Sequence, residues 1–220
     1  MIITRLLRQL APYECLGCGV EGQLLCSGCA TRLIPVPERC YRCRTLSAHG
    51  KTCQSCRHTS SLFSIRSATI YRGLAKELIW KLKFNSARDA AEEIAAQLLP
   101  LIPPIKNAII VPVPTATSRA RQRGYDQAQL IAKALARRTG LPYTPALRRL
   151  GQHHQVGSTR DQRRAQLKDA YRCVHPSAIQ NQHVILIDDV LTTGATLEAA
   201  GTAILANGAQ RVSGLVFAQA

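Results

Sequence analysis

The sequence predicts an α/β fold, a parallel sheet with flanking helices, preceded by a small cysteine-rich metal module. Three observations predict it. After residue 66, apolar strand-like runs alternate with helix-period segments. Eight of the nine cysteines fall between residues 15 and 56, all as Cys-x-x-Cys pairs. The run 184–200, "VILIDDVLTTGATLEAA", passes from an apolar strand through two acids to a hydroxyl-rich turn before a helix. Two hundred and twenty residues can hold one such domain and a small appendage.

The first ten residues, "MIITRLLRQL", are broken by Arg5 and Arg8, so they read as a short amphipathic helix rather than a signal peptide. Next come Cys15/Cys18, Cys26/Cys29, Cys40/Cys43 and Cys53/Cys56. A disulfide framework has no reason to space every cysteine in twos, whereas tetrahedral Zn²⁺ does. Eight ligands make two structural zinc sites. Either neighbouring pairs combine, or the pairs interleave as a cross-brace. Turn residues Gly17, Gly19 and Gly28 suit local ribbons and favour neighbours. Pro35 and Pro37 separate the halves of a double zinc ribbon over residues 1–58. Thiolate ligation implies a reducing compartment, hence a cytoplasmic protein. Cys173 stands alone and reads as a buried strand residue.

Residues 58–66, "HTSSLFSIR", form a connector, and "SATIYR" (67–72) is a strand. "LAKELIWKLKF" (74–84) has helical spacing at Leu74, Leu78, Ile79 and Leu82, with Trp80 assigned to its apolar face as core rather than as a base-stacking platform. A second helix over about 88–99 stops at Pro100. "NAIIVPVP" (107–114) is a buried strand ended by its prolines, and 126–139 is a helix closed by Gly140. Residues 145–173 begin as a strand, open into a polar loop and end as another strand. "HVILIDDV" is apolar throughout its first half, as in a parallel strand covered on both faces. "ATLEAAGTAILANG" is a helix ended by Gly208, and "RVSGLVFAQA" is the last strand.

The formal charge is +16; eight thiolates and two Zn²⁺ add −8 + 4 = −4, leaving about +12. The excess is local. Residues 119–172 carry thirteen Lys/Arg against three Asp/Glu, whereas 173–220 carry one Arg against Asp188, Asp189 and Glu198. A basic segment beside an acid pair suits a polyanion that arrives with a divalent metal. No apolar run approaches a membrane span.

In an open α/β sheet, ligands sit at the carboxyl ends of the strands. Val184–Ile187 would carry Asp188 and Asp189 to that rim. The turn that follows offers backbone N–H groups, the hydroxyls of Thr192, Thr193 and Thr196, and close approach at Gly194 and Ala195. This is a phosphate cradle. The carboxylates beside it suit sugar hydroxyls, hydrated Mg²⁺, or both. Together they describe a pentose 5-phosphate site.

The run "VILIDDVLTTGAT" resembles the 5-phosphoribosyl-1-pyrophosphate (PRPP) signature of type I phosphoribosyltransferases. "VPVP" (111–114), "RARQRGYDQAQLIAKALA", "LIWKLKF" and "HHQVGSTRDQRRAQLKDAY" are similar to blocks of the ComF family, which joins a zinc module to a phosphoribosyltransferase domain. The resemblance implies a type I phosphoribosyltransferase-like domain over 59–220. It also implies a role in natural competence or DNA utilisation. Asp188 and Asp189 would be the catalytic carboxylates, and Thr192 to Thr196 the 5-phosphate grip. Arg119 and Arg123 would hold pyrophosphate. Mg²⁺ would accompany PRPP, and single-stranded DNA with a competence helicase or DNA-processing proteins would be partners. The loop 152–166 resembles a flap, with Gln155, Arg160 and Arg163 as contacts; His153 and His154 read as solvent-facing. Lys83 and Phe84 are placed at the mouth of the site. The sequence departs from the family at Tyr125 (for Phe), Asp126 (for Asn) and Gln166 (for Asn). An acid at Asp126 argues against direct phosphate contact there.

Overall fold

The computed structural model describes residues 12–84, 87–102, 105–115, 117–150 and 170–220. The expected amphipathic helix at 1–10 and the flap at 152–166 lie outside these residues. Short helices α1 (Ser27–Ala30) and α2 (Gln54–Arg57) belong to the cysteine region. They precede β1 (Ser64–Ile70), α3 (Leu74–Phe84), α4 (Ala87–Leu98) and β2 (Ala108–Pro112). Then come α5 (Thr117–Arg123), α6 (Gln127–Thr139), β3 (Leu147–Arg149) and β4 (Tyr171–Cys173). The chain closes with α7 (Pro176–Ile179), β5 (His183–Leu191), α8 (Ala195–Leu205) and β6 (Arg211–Gln219).

Four strands form a wholly parallel sheet in the order β1-β6-β5-β2. Their side chains alternate between two cores, as a period of two requires. Ile110, Ile185, Ile187, Leu215 and Phe217 meet α3, α4 and α6 on one face. Val111, Val184, Leu186, Val212 and Val216 meet α8 and α7 on the other. β3 and β4 pair antiparallel as a separate ribbon against the second core. Cys173 lies on β4 as expected but is only half-buried.

The sequence reading placed the long elements, although β1 starts at Ser64 within the expected connector, and missed the short α1, α2, α5 and α7, which are too brief to show a helical period. Residue Asp126 caps α6 by accepting the N–H of Gln129, and Gly140 ends that helix in the left-handed conformation at φ 71°. One assignment is corrected. Trp80 is 49% exposed, because Ala75, Leu78, Ile79 and Leu82 already make up the buried stripe of α3. One step beyond Ile79 turns the side chain by about 100°, off that stripe.

Candidate functional site

The sheet defines where a ligand can enter. The helices after β2 cover one face, while α8 after β5 covers the other. Neighbouring strands whose following helices diverge leave a crevice at their carboxyl ends. The last β2–β5 pair is Pro112 with Ile187, so Asp188 and Asp189 emerge immediately past the end of β2. Burial along β5 changes at the same step, from fully buried through Ile187 to half-buried at Asp188, Asp189 and Val190.

The two acids have different surroundings. Asp189 forms an ion pair with Lys83 at 2.9 Å. Asp188 accepts the Asp189 backbone N–H at 2.8 Å, and no cation pairs with it among the described residues. Burial pushes the Asp188 carboxyl well above the usual carboxylate range, and the charge of Asp189 beside it adds to the rise. A cation or a hydroxyl donor brought beside the pair would favour its charged form. Lys83 thus reaches the acid pair, and Phe84 beside it is exposed.

Beyond Leu191 the chain leaves the sheet. Gly194 adopts φ +79° and directly precedes α8. Thr192, Thr193 and Thr196 are exposed, and Thr193 Oγ1 accepts the Ala195 N–H at 3.4 Å. Hydroxyls and helix-start N–H groups thus lie together at the start of α8. Arg119 and Arg123 lie on α5, which follows β2. The side chain of Arg119 is outside the described set. Arg123 stacks over Phe84, its guanidinium carbon 5.3 Å from the ring centroid. Asp126 accepts the Thr115 N–H at 2.8 Å through one oxygen and the Gln129 N–H at 3.2 Å through the other. A carboxylate serves both donors where an amide has one oxygen. Tyr125 uses its hydroxyl on the Leu82 carbonyl at 2.9 Å.

The cysteines gather as neighbouring pairs. The sulfurs of Cys15, Cys18, Cys26 and Cys29 all lie within 4.8 Å of one another, as do those of Cys40, Cys43, Cys53 and Cys56. Each group could hold one metal ion, and its chemistry suits zinc. Gly17 is needed at its place, since a Cβ there would come 2.6 Å from Cys29 Sγ. The crowded thiols split. Burial pushes Cys15 up, but N–H groups of Cys26, Gly17 and Cys18 outweigh it and bring the thiol to about 6. Burial and the Cys26 sulfur push Cys29 to about 12. The Thr45 hydroxyl and N–H draw Cys43 down to about 6, while the Cys53 sulfur and burial push Cys56 to about 12. A cation among the four would relieve that competition.

Sequence reasoning missed how the second group meets the start of α8. Tyr41 and Arg42, between Cys40 and Cys43, both bind Glu198 in the first turn of α8, Arg42 at 2.9 Å. Glu198 also accepts the Ser61 N–H at 2.9 Å and hydroxyl at 2.6 Å. The Tyr41 ring lies against Gly194, where an added Cβ would come within 2.9 Å of it. The available signals were a bulky aromatic inside a metal knuckle and a lone acid in an alanine-rich helix.

The parallel sheet with its flanking helices is like that of a type I phosphoribosyltransferase. The chain belongs to the phosphoribosyl transferase domain family, whose model matches residues 87–219. It is 28% identical over 196 residues to competence protein ComFC of Bacillus subtilis, covering 84% of this chain and 79% of that protein. It is 29% identical over 205 residues to DNA utilization protein YhgH of Salmonella typhimurium, covering 86% and 87%. With competence protein F of Haemophilus influenzae it shares 28% over 203 residues, covering 84% and 87%. The ComF resemblance read from the sequence is borne out. No helix among the described residues is long and apolar enough to cross a membrane.

Proposed function

We propose that the crevice binds Mg²⁺-PRPP and that the protein is a phosphoribosyltransferase-like member of the competence and DNA-utilisation group. The observation that carries this reading is the order of groups past the last β2–β5 pair: the acid pair Asp188 and Asp189, exposed hydroxyls, then a left-handed glycine at a helix start. Asp188 and Asp189 hold the ribose diol, with Lys83 balancing Asp189. Thr192, Thr193 and Thr196, with the N–H groups at Gly194 and Ala195, grip the 5-phosphate. Arg119 and Arg123 on α5 serve the pyrophosphate. Mg²⁺ offsets pyrophosphate charge. A nitrogenous nucleophile displaces pyrophosphate at the anomeric carbon, and the acid pair stabilises positive charge growing on the ribose. The names of the relatives support a role in handling imported single-stranded DNA. Thiol-rich metal sites support a cytoplasmic setting.

Calorimetric titration of Mg²⁺-PRPP into the wild type and Asp188→Asn tests the pocket; equal affinity would sink it. A second reading keeps PRPP as a regulatory ligand of a DNA-binding accessory protein. The net +10 of residues 119–172 favours it. Pyrophosphate release with a panel of bases separates the two: turnover supports the enzyme, and PRPP binding without release supports the sensor.

A further inference from the structure

The outer side of α3 carries an unusual expenditure of aromatic surface. The chain has one tryptophan and three phenylalanines, yet Trp80 is 49% and Phe84 58% exposed. They stand four residues apart on one helix face, with ring centroids 5.6 Å apart and planes tilted by 43°. Cations flank both rings. Lys81 Nζ lies 5.9 Å from the Trp80 centroid, and the Arg123 guanidinium 5.3 Å from that of Phe84. A groove beside them is lined by Tyr71, Lys76, Glu77, Trp80, Lys83 and Phe84. Glu77 is its one acid. Lys83, at its wall, reaches Asp189 at 2.9 Å, so the groove runs up to the acid pair.

An apolar partner helix would not call for charges between the rings. Flat aromatic faces interleaved with cations match a chain of flat bases joined by phosphates. We propose that this groove is a nucleobase-stacking site for single-stranded nucleic acid, with Trp80 and Phe84 taking bases and Lys76, Lys81 and Arg123 taking phosphates. The site goes beyond the sugar-phosphate reading, whose cradle lies on β5 and α8. A strand seated here has its backbone leading toward the crevice.

Trp80, as the sole tryptophan, reports on the site directly. The zinc-loaded full chain is titrated at low salt with a short oligodeoxythymidylate and with an abasic strand of equal length, following tryptophan emission. Quenching by the first, with much weaker binding and little quenching by the second, is the expected result. A labelled strand should bind Phe84→Ala roughly tenfold more weakly, within the range for loss of one stacked base. Asp188→Asn should leave the quenching intact, so failure of PRPP binding and failure of this site are told apart. Equal binding of the abasic strand would overturn the proposal, as would strand binding without any change in Trp80 emission. No strand binding at low salt, or quenching by anionic lipid vesicles alone, would overturn it too. The abasic comparison uses only wild-type protein, so it decides the matter even if Phe84→Ala fails to fold.

Discussion

The two four-cysteine groups share a ligand pattern but brace opposite faces of one sheet. In the first, Cys15 and Cys29 are themselves part of the core formed by α3, α4 and α6, with Leu24 and Leu25 beside them. In the second, Tyr41 enters the opposite core, and its ring rests on Gly194. The difference lies in the two residues between the knuckle cysteines: Leu16 and Gly17 in one, Tyr41 and Arg42 in the other. A small apolar pair lets the first knuckle close on itself. An aromatic and a cation let the second reach out and hold the start of α8. One four-cysteine pattern therefore joins the core beneath one face of the sheet and fixes the turn before α8 on the other.

The second group also covers the sheet edge. Lys51 bridges Ser64, and Thr52 donates its N–H to the Phe63 carbonyl at 2.8 Å and its hydroxyl to the Leu62 carbonyl at 2.6 Å. Gly50, at φ +61°, comes so close to the Ile65 carbonyl that no Cβ fits. Backbone groups at the start of β1 that would otherwise be open for pairing are thus satisfied.

Removing one ligand from each group should break the comparison most severely. Cys18→Ala and Cys43→Ala delete equivalent exposed ligands. A structural zinc site contributes about 10–16 kcal/mol in isolated zinc-finger peptides, so each loss should be large. Both variants should bind one zinc and unfold at lower temperature. Only Cys43→Ala should also lose Mg²⁺-PRPP affinity, by roughly tenfold or more, a difference of about 1.4 kcal/mol at the loop. Equal affinities in the two folded variants would show that the second group braces nothing at the cradle.

Gly194→Ala sharpens the same point at one atom. A side chain at φ +79° costs about 1–2 kcal/mol, and the new Cβ meets the Tyr41 ring. Part of that cost should return when Tyr41→Ala is combined with it. A double-mutant cycle on thermal stability is expected to give a coupling of about 0.5–3 kcal/mol. Additive effects would place the ring and the glycine out of contact. Tyr41→Phe, which keeps the ring and loses the hydroxyl to Glu198, should cost only about 0.5–1.5 kcal/mol.

How far the sequence reveals this molecule depends on the range of the interaction. Periodicity made α3, α4, α6 and the parallel strands legible, because one buried face repeats at a fixed spacing. The spacing of the cysteines disclosed both four-cysteine groups, and the change from apolar to acidic residues marked where β5 outruns β2. Contacts between distant segments leave odd residues in each segment but no local pattern that pairs them. Glu198 is 157 residues from Tyr41, and nothing near either residue announces the other. Lys83 and Asp189 are linked only by the packing of α3 beside β5. Trp80 misled because hydrophobicity alone placed it inside, whereas the stripe of α3 was already filled. Asp126 looked like a loss of a phosphate contact; it is a clasp joining the loop after β2 to α6.

The smallest expected effect concerns the charge that ties the second knuckle to α8. Burial would raise the Glu198 carboxyl, but hydrogen bonds from Ser61 and Tyr41 outweigh it and hold it below the ordinary value. A folded-state pKa below the unfolded one means that the stabilisation is complete above the unfolded value, near 4.5, and is lost as pH falls through the folded value. Glu198→Gln cannot titrate. Its thermal stability should therefore fall less steeply than the wild type's as pH drops below about 4.5. The two curves should run parallel near neutrality, separated by about 1 kcal/mol for hydrogen bonds that an amide accepts less strongly. An unchanged acid slope in Glu198→Gln would assign the wild-type loss to other carboxylates. It would also leave the tie between knuckle and helix to the Tyr41 ring alone.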